Sequence, residues 1–288
     1  MIKKSIKQLL HKKEMPDIKN VIKKADDFMF LGDGNALVGT PPRMDNSSVS
    51  FGGKNNILFC GPGVELCDCT IAFNADNSLV YLSQSEKQYR ISISINNNCV
   101  CFIGKNNYFN GILHIILSEH KHLFIGNNCL FSFDIWVRNA DPHLIYDSAT
   151  RKRLNQTKSI FVGDHVWIGQ SAMILKGSKI DSGCIIGAKS VVTGSVSHNS
   201  VWVGNPIRKV RESVFWDGAC VHKWTQADTD KNQLWHDTSD YIFEYNEKEE
   251  LSYVTMDEAL DGTDIIKKID YLNGLSTTKN RFVHKAIE

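Results

Sequence analysis

The sequence predicts a mainly-β chain wound as a parallel β-helix, and three observations in residues 162–196 carry that prediction. Taken in sixes, the first position reads Val162, Ile168, Ile174, Ile180, Ile186 and Val192. The fifth position reads Val166, Ala172, Ser178, Cys184, Ser190 and Val196, all small or compact. Glycine or a short polar residue follows the aliphatic one directly, at Gly163, Gly169, Asp181 and Gly187. Neither a period of two nor one of 3.6 produces this pattern. A hexad made of one short strand and one turn does, and three such hexads close a three-sided coil of about 18 residues. The aliphatic side chain points inward and stacks on its equivalents one coil away, at roughly 4.8 Å per step. The small residue points inward near a corner, and glycine, Asn or Asp supplies the corner's backbone angles.

The whole chain is consistent with such a core. It has 288 residues, 42% of them hydrophobic, and a net charge of +1, which argues against a bulk nucleic-acid binder. No apolar run approaches a membrane span, and the first twenty residues are too polar for a signal-peptide core. A cytoplasmic location is expected, with peripheral membrane association left open. The eight cysteines (60, 67, 69, 99, 101, 129, 184 and 220) form no CxxC pair. They read as reduced thiols filling small core positions, Cys129 and Cys184 in the inward hexad column, and no metal site is expected.

Along the chain, residues 1–27 predict one or two amphipathic helices, with Ile2, Ile6, Leu9 and Leu10, then Ile18, Val21 and Ile22, on one stripe. Eight lysines on this segment form a solvated face, or one that meets an anionic membrane or polymer. Residues 28–211 predict the β-helix domain, with irregular early coils over 28–95. The aliphatic–small step reappears at Ile95/Cys99 and Ile125/Cys129. Residues 138–159 form a polar insertion containing Pro142, the kind of corner loop that carries function. The repeat ends at Val203-Gly204-Asn205-Pro206. Residues 212–288, with Trp216, Trp224 and Trp235, form a C-terminal extension expected to cover the open edge of the last coil.

The succession DPHLIYD, VGDHVWIG, IIGAKSVVTG and VGNPIRKVRE resembles the hexapeptide-repeat acyltransferases, which have a left-handed parallel β-helix. Within them it is similar to the branch that O-acetylates sugars and bacterial surface polysaccharides. The resemblance covers about residues 95–212. It implies acetyl-CoA as co-substrate, a homotrimer with sites between subunits, a glycan or sugar acceptor and His143 as general base. A neutral imidazole suits that task near pH 7. An acid should orient it; Asp141 and Asp147 flank it, with Asp141 the preferred candidate. Trp167 is expected to line the cleft near the thioester, where an N–H could stabilise the oxyanion.

The resemblance further places Ala172, Gly187, Ala188 and Thr193 along the pantetheine groove, with Gln170 where relatives often carry a serine. Arg208 and Arg211 are expected on the CoA phosphates, with Lys189 a weaker addition. His165, at the fourth position of its hexad, is the competing base and is expected to point outward from a flat face. The leading reading is O-acetylation of a capsule, lipopolysaccharide or similar glycan. The alternatives are N-acetylation of an amino-sugar nucleotide, O-acetylation of serine or a xenobiotic, the metal-dependent carbonic anhydrase of the same fold, and a non-catalytic glycan-binding solenoid.

Overall fold

The structure, a computed structural model, describes residues 20–22, 29–237, 241–262 and 264–285. Three parallel sheets wrap one core, and successive strands step from face one to face two to face three. Face one includes Ser48–Phe51, Thr70–Phe73, Ile91–Ile95, Leu113–Leu117, Ile135–Arg138, Met173–Leu175 and Val191–Val192. Face two runs from Ala36–Gly39 to Ser195–Val196, and face three from Tyr108–Phe109 to Arg208–Arg211. In the first coils the third side is formed by Arg43–Asp45 and Glu65–Cys67.

All twelve inward hexad residues of 162–196 are buried, at no more than 1% exposure. Cys129 and Cys184 lie inside with them as reduced thiols, and Cys220 alone among the eight is exposed.

Two early segments differ from the sequence expectation. The coils over 36–137 are regular, with a repeat near 22 residues rather than 18. Val49, Ile71, Ile93, Ile115 and Val137 stack in register down face one. The extra residues sit in the corners. Between faces one and two, Asn55, Asn77, Asn98 and His120 each take the left-handed conformation, which Asn tolerates better than most residues. Side chains stack there too: Asn56 N donates to Asn35 Oδ1 at 2.9 Å, and Ser78 N to Asn56 Oδ1 at 2.9 Å.

The second difference lies at the N-terminus. Val21 and Ile22 belong to a strand, Asn20–Ile22, paired antiparallel with Val49–Phe51 of the face-one sheet. An open first edge demands pairing, and that outweighs the helical stripe. Residues 1–19 and 23–27, the rest of the expected helical segment, lie outside the described residues.

The edge of the last coil is paired before the C-terminal extension begins, and the helices of the extension pack elsewhere. The last strand of the coil, Val201–Val203, is covered by the antiparallel strand Arg208–Arg211. The helices Tyr253–Leu260 and Ile265–Asn273 instead lie over the outside of face two. That face needs a cover because its outward side chains are aromatic. Phe59, Tyr81, Phe102 and Phe124 stack at 4.2 to 5.1 Å, and Phe161 stacks on Tyr253 at 4.6 Å. Tyr81 Oη donates to Asn273 Oδ1 at 2.6 Å.

Two polar clamps hold the extension. Arg281, 4% exposed, pairs both oxygens of Asp164 at 2.7 and 2.8 Å. His284 Nδ1 lies 2.7 Å from Asp181 Oδ1, its Nε2 lies 3.1 Å from the Leu251 carbonyl, and its ring stacks on Tyr253. Burial works against a charged His284, but the Asp181 carboxylate and the Leu251 carbonyl outweigh it and raise the pKa above its ordinary value. The folded state therefore binds the proton more tightly than the unfolded chain. Its contribution is complete below about pH 6.5, the unfolded value, and is lost as pH rises through the raised one. The gap in unfolding midpoint between wild type and His284→Gln should be larger at about pH 6 than at about pH 9. A gap independent of pH would contradict this assignment.

Candidate active site

The insertion at 139–159 leaves the coil after the face-one strand Ile135–Arg138 and returns at the face-two strand Ile160–Val162. Both of its ends are fixed. Asn139, fully buried, accepts from Ser118 N at 2.8 Å and donates to the Ser118 and Lys121 carbonyls. Ser159 Oγ accepts from His122 N at 2.8 Å and donates to Asp257 of the extension.

Between these ends the loop is a hairpin. Tyr146 bridges Arg153, Leu154 N donates to the Ile145 carbonyl at 2.8 Å, and Asp147 N donates to the Lys152 carbonyl at 2.9 Å. Arg153 ties it to the preceding coil through two 2.8 Å bonds to Glu119, and this pairing lowers the Glu119 carboxyl to about 2.

The DPH segment is set by Asn155. Its side chain is buried and makes four bonds: Nδ2 to the His143 carbonyl at 2.7 Å, Nδ2 to Asp141 Oδ2 at 3.1 Å, and Oδ1 from Ile145 N at 2.9 Å and from Arg153 Nε at 3.4 Å. Lys176 also binds Asp141, and the lysine followed by Asn155 holds that carboxyl below the usual range. Asp147 turns away into the hairpin tip, where it accepts from Ala149 N and from Thr150 N and Oγ1. His143 is exposed, and although the two residues before it line a cleft of about 350 Å³, His143 itself is not part of that lining. The cleft is lined by Arg138, Ala140, Asp141, Pro142, Lys158 and Lys176, with Met173, Leu175 and Thr193.

The other candidate residues lie elsewhere on the coil. Trp167, 38% exposed, stands outward on face three and lies 3.4 Å from Ser132 Oγ through Nε1. In a three-sided coil, face three lies opposite the corner between faces one and two, so one chain does not bring Trp167 and His143 together. Trp167, Ile185, Val201 and Arg211 form one column along face three, each paired with the next. Arg208 is paired with Val203 on the same terminal strands, and both arginines are exposed.

Gly187, Ala188 and Lys189 sit at the corner between faces three and one. A Cβ on Gly187 would meet Val203 Cγ1 at 2.6 Å, so the last coil packs here only against glycine. Lys189 is left-handed, and its N–H bonds the Gln170 carbonyl of the coil before. Ala172 differs from the expectation: it is fully buried, and its carbonyl accepts from Trp136 N at 3.1 Å. It therefore fills the core rather than lining the groove. Thr193 is exposed, but at the corner of the Asp141 cleft.

His165 is also displaced from its expected place. It occupies the left-handed corner between faces two and three, where its ring is sandwiched by Trp216 at 4.0 Å and Tyr241 at 4.3 Å. Burial lowers its pKa, and its Nε2 lies 3.0 Å from the Trp216 carbonyl. It anchors the extension. Asn155 is the residue that sequence reasoning missed, since its partners are ten to fourteen positions away. His114 stacks on Trp136 while His122 is enclosed, and among the described residues no three metal-ligating side chains converge.

Comparison with known proteins agrees with this architecture. The family described as bacterial transferase hexapeptide (six repeats) matches residues 159–194. The polysialic acid O-acetyltransferase of Neisseria meningitidis is 28% identical over 126 residues, 43% of this chain and 58% of that protein. The polysialic acid O-acetyltransferase of Escherichia coli O1:K1 is 29% identical over 119 residues, 41% of this chain and 36% of that protein. The chain thus spans about half or less of these curated relatives. The crystal structure of the polysialic acid-specific acetyltransferase NeuO superposes with a TM-score of 0.60 at 26% identity, covering 69% of this chain and 93% of that one. The winding is that of the left-handed β-helix.

Proposed function

From a chain that belongs to the hexapeptide-repeat acyltransferases, we propose an acetyl-CoA-dependent O-acetyltransferase acting on a sugar hydroxyl of a bacterial surface polysaccharide, a capsule or lipopolysaccharide. The observation that carries this reading is the loop 139–159, a hydrogen-bonded hairpin on an otherwise regular coil whose Asp141 and Pro142, the residues just before His143, line a cleft. His143 takes the proton of the attacking hydroxyl as the sugar oxygen bonds to the thioester carbonyl carbon. The tetrahedral oxyanion collapses, the C–S bond breaks, and the imidazolium returns the proton to the CoA sulfur.

Asp141 is held by Lys176 and by Asn155, and Asn155 also binds the His143 carbonyl, so the two residues are tied to one anchor. CoA is a substrate here. Its track is the face-three column from Trp167 to Arg211 with the adjoining Gly187–Ala188–Lys189 corner. Three inter-strand steps span roughly 14 Å, a length suited to an extended pantetheine arm between a thioester at Trp167 and phosphates at Arg208 and Arg211.

Because that track and His143 lie on opposite sides of one chain, the site requires two copies, one supplying the base and the next the CoA wall. A closed homotrimer gives three equal sites from one kind of interface. The exposed apolar hairpin residues Leu144, Ile145, Tyr146 and Leu154 suit such a contact. The expected location is cytoplasmic or peripheral to a membrane, and no helix among the described residues is long and apolar enough to cross one.

The test is thiol release from acetyl-CoA over a panel of bacterial glycans, with CoA binding followed by calorimetry. Arg208→Ala with Arg211→Ala should raise the CoA dissociation constant roughly tenfold or more, the loss expected for charge-assisted contacts. Unchanged affinity would remove these residues from the CoA site.

A further inference from the structure

The cleft beside the Asp141–Pro142 segment carries an excess of positive charge, three cations to one carboxylate. Arg138 ends the face-one strand that feeds the loop, and its guanidinium lines the cleft with Lys158 and Lys176. The only carboxylate in the lining is Asp141, and Lys176 and Asn155 already bind it. Among the described residues no carboxylate pairs with Arg138, and its Nε is buried without a hydrogen-bond partner. A buried donor left unsatisfied costs the full desolvation of that group, so the position is explained best by an anion that arrives with a ligand. Lys158 lies alongside, its stem against Gly177. Between the cations, Met173, Leu175, Ala140 and Pro142 form an apolar floor that suits the C–H face of a pyranose ring.

We propose that Arg138 is a specificity-determining residue that binds a carboxylate on the acceptor sugar, so that the preferred acceptor is an acidic glycan. This rests on the reading of the site as a sugar O-acetyltransferase with His143 as base. A guanidinium presents two parallel N–H donors that match a carboxylate. The remaining anion source is a CoA phosphate. The whole pantetheine arm separates those phosphates from the thioester, whereas Arg138 lines the same cleft as Pro142, the residue next to the base. An anion at Arg138 therefore belongs to the molecule whose hydroxyl reacts.

The experiment compares one glycan in two forms, oligosialic acid and its carboxyl methyl ester, with a neutral maltooligosaccharide as a third arm. Wild type should turn over the free acid with a kcat/KM roughly 10- to 100-fold above that of the ester, the worth of one charge-assisted pair. Arg138→Ala should remove that preference by raising KM for the acid, with the CoA dissociation constant unmoved, and Arg138→Lys should recover part of it. Equal turnover of acid and ester by wild type would overturn the proposal. So would a loss of CoA affinity in both variants, which would make Arg138 a phosphate ligand. If wild type acetylates no glycan in any arm, the acetyltransferase reading itself fails. Thermal unfolding of each variant separates loss of binding from loss of fold.

Discussion

His143→Ala is expected to lower kcat/KM for acetyl transfer by roughly 10²- to 10⁴-fold, the usual contribution of a positioned general base, while CoA still binds. The structure gives a specific reason to expect a clean effect. The loop is held by Asn139, Arg153 and Ser159 through bonds to other elements and by Asn155 within itself, and none of these bonds uses the imidazole. Alanine at 143 therefore removes the base without releasing the hairpin. Asn155→Ala should act differently. It loses the bonds to Asp141 and to the His143 carbonyl, loosens the base's backbone and lowers turnover with the imidazole still present. If His143→Ala turned over glycan at the wild-type rate, the base would lie elsewhere, and His165, stacked between Trp216 and Tyr241, would not replace it.

The largest effect on stability is expected from Arg281→Ala. This guanidinium is almost wholly enclosed and holds both oxygens of Asp164, itself 13% exposed on the side chain. Removing one partner of a buried pair leaves an uncompensated charge and costs about 3–5 kcal/mol. Asp164 also accepts from Asn127 N at 2.6 Å, which retains part of its solvation and places the expected loss at the lower end. The denaturation midpoint should fall, and limited proteolysis should cut within 213–250 before the coil is attacked. Release of the extension would uncover the aromatic ladder of face two, so aggregation should accompany it. An unchanged midpoint and an unchanged digestion pattern would show that the extension docks by other means.

The fold was legible where coil length equals three hexads. In residues 162–196 each face takes one six-residue unit, so a fixed step reads the inward column directly. Further upstream the corner between faces one and two is longer, ten residues from Ile115 to Ile125 where a hexad has six, and a step of six loses register within one coil. The signal was present at another spacing: Val49, Ile71, Ile93, Ile115 and Val137 recur every 22 residues, as do the outward aromatics Phe59 and Tyr81. That outward ladder also foretold a cover for face two, which the helices Tyr253–Leu260 and Ile265–Asn273 supply.

The candidate site was legible in part. The loop and its histidine stand out because a polar insertion breaks a regular repeat. Ala172 was misplaced because the small hexad position faces the core, and His165 because corner residues do not follow the alternation of a flat face. Asn155 and Arg138 carry no local pattern. Their roles come from partners brought close by the coil.

The central claim is that acetyl transfer occurs where the His143 loop of one copy meets the Trp167 face of another. It is tested most directly by mixing two impaired variants, His143→Ala and Trp167→Ala, in co-expressed and separately tagged hetero-oligomers. Shared sites predict recovery of roughly one quarter of the wild-type activity at equal mixing, because only sites that pair an intact loop with an intact face work. Mixed oligomers no more active than the two variants assayed separately would contradict the claim.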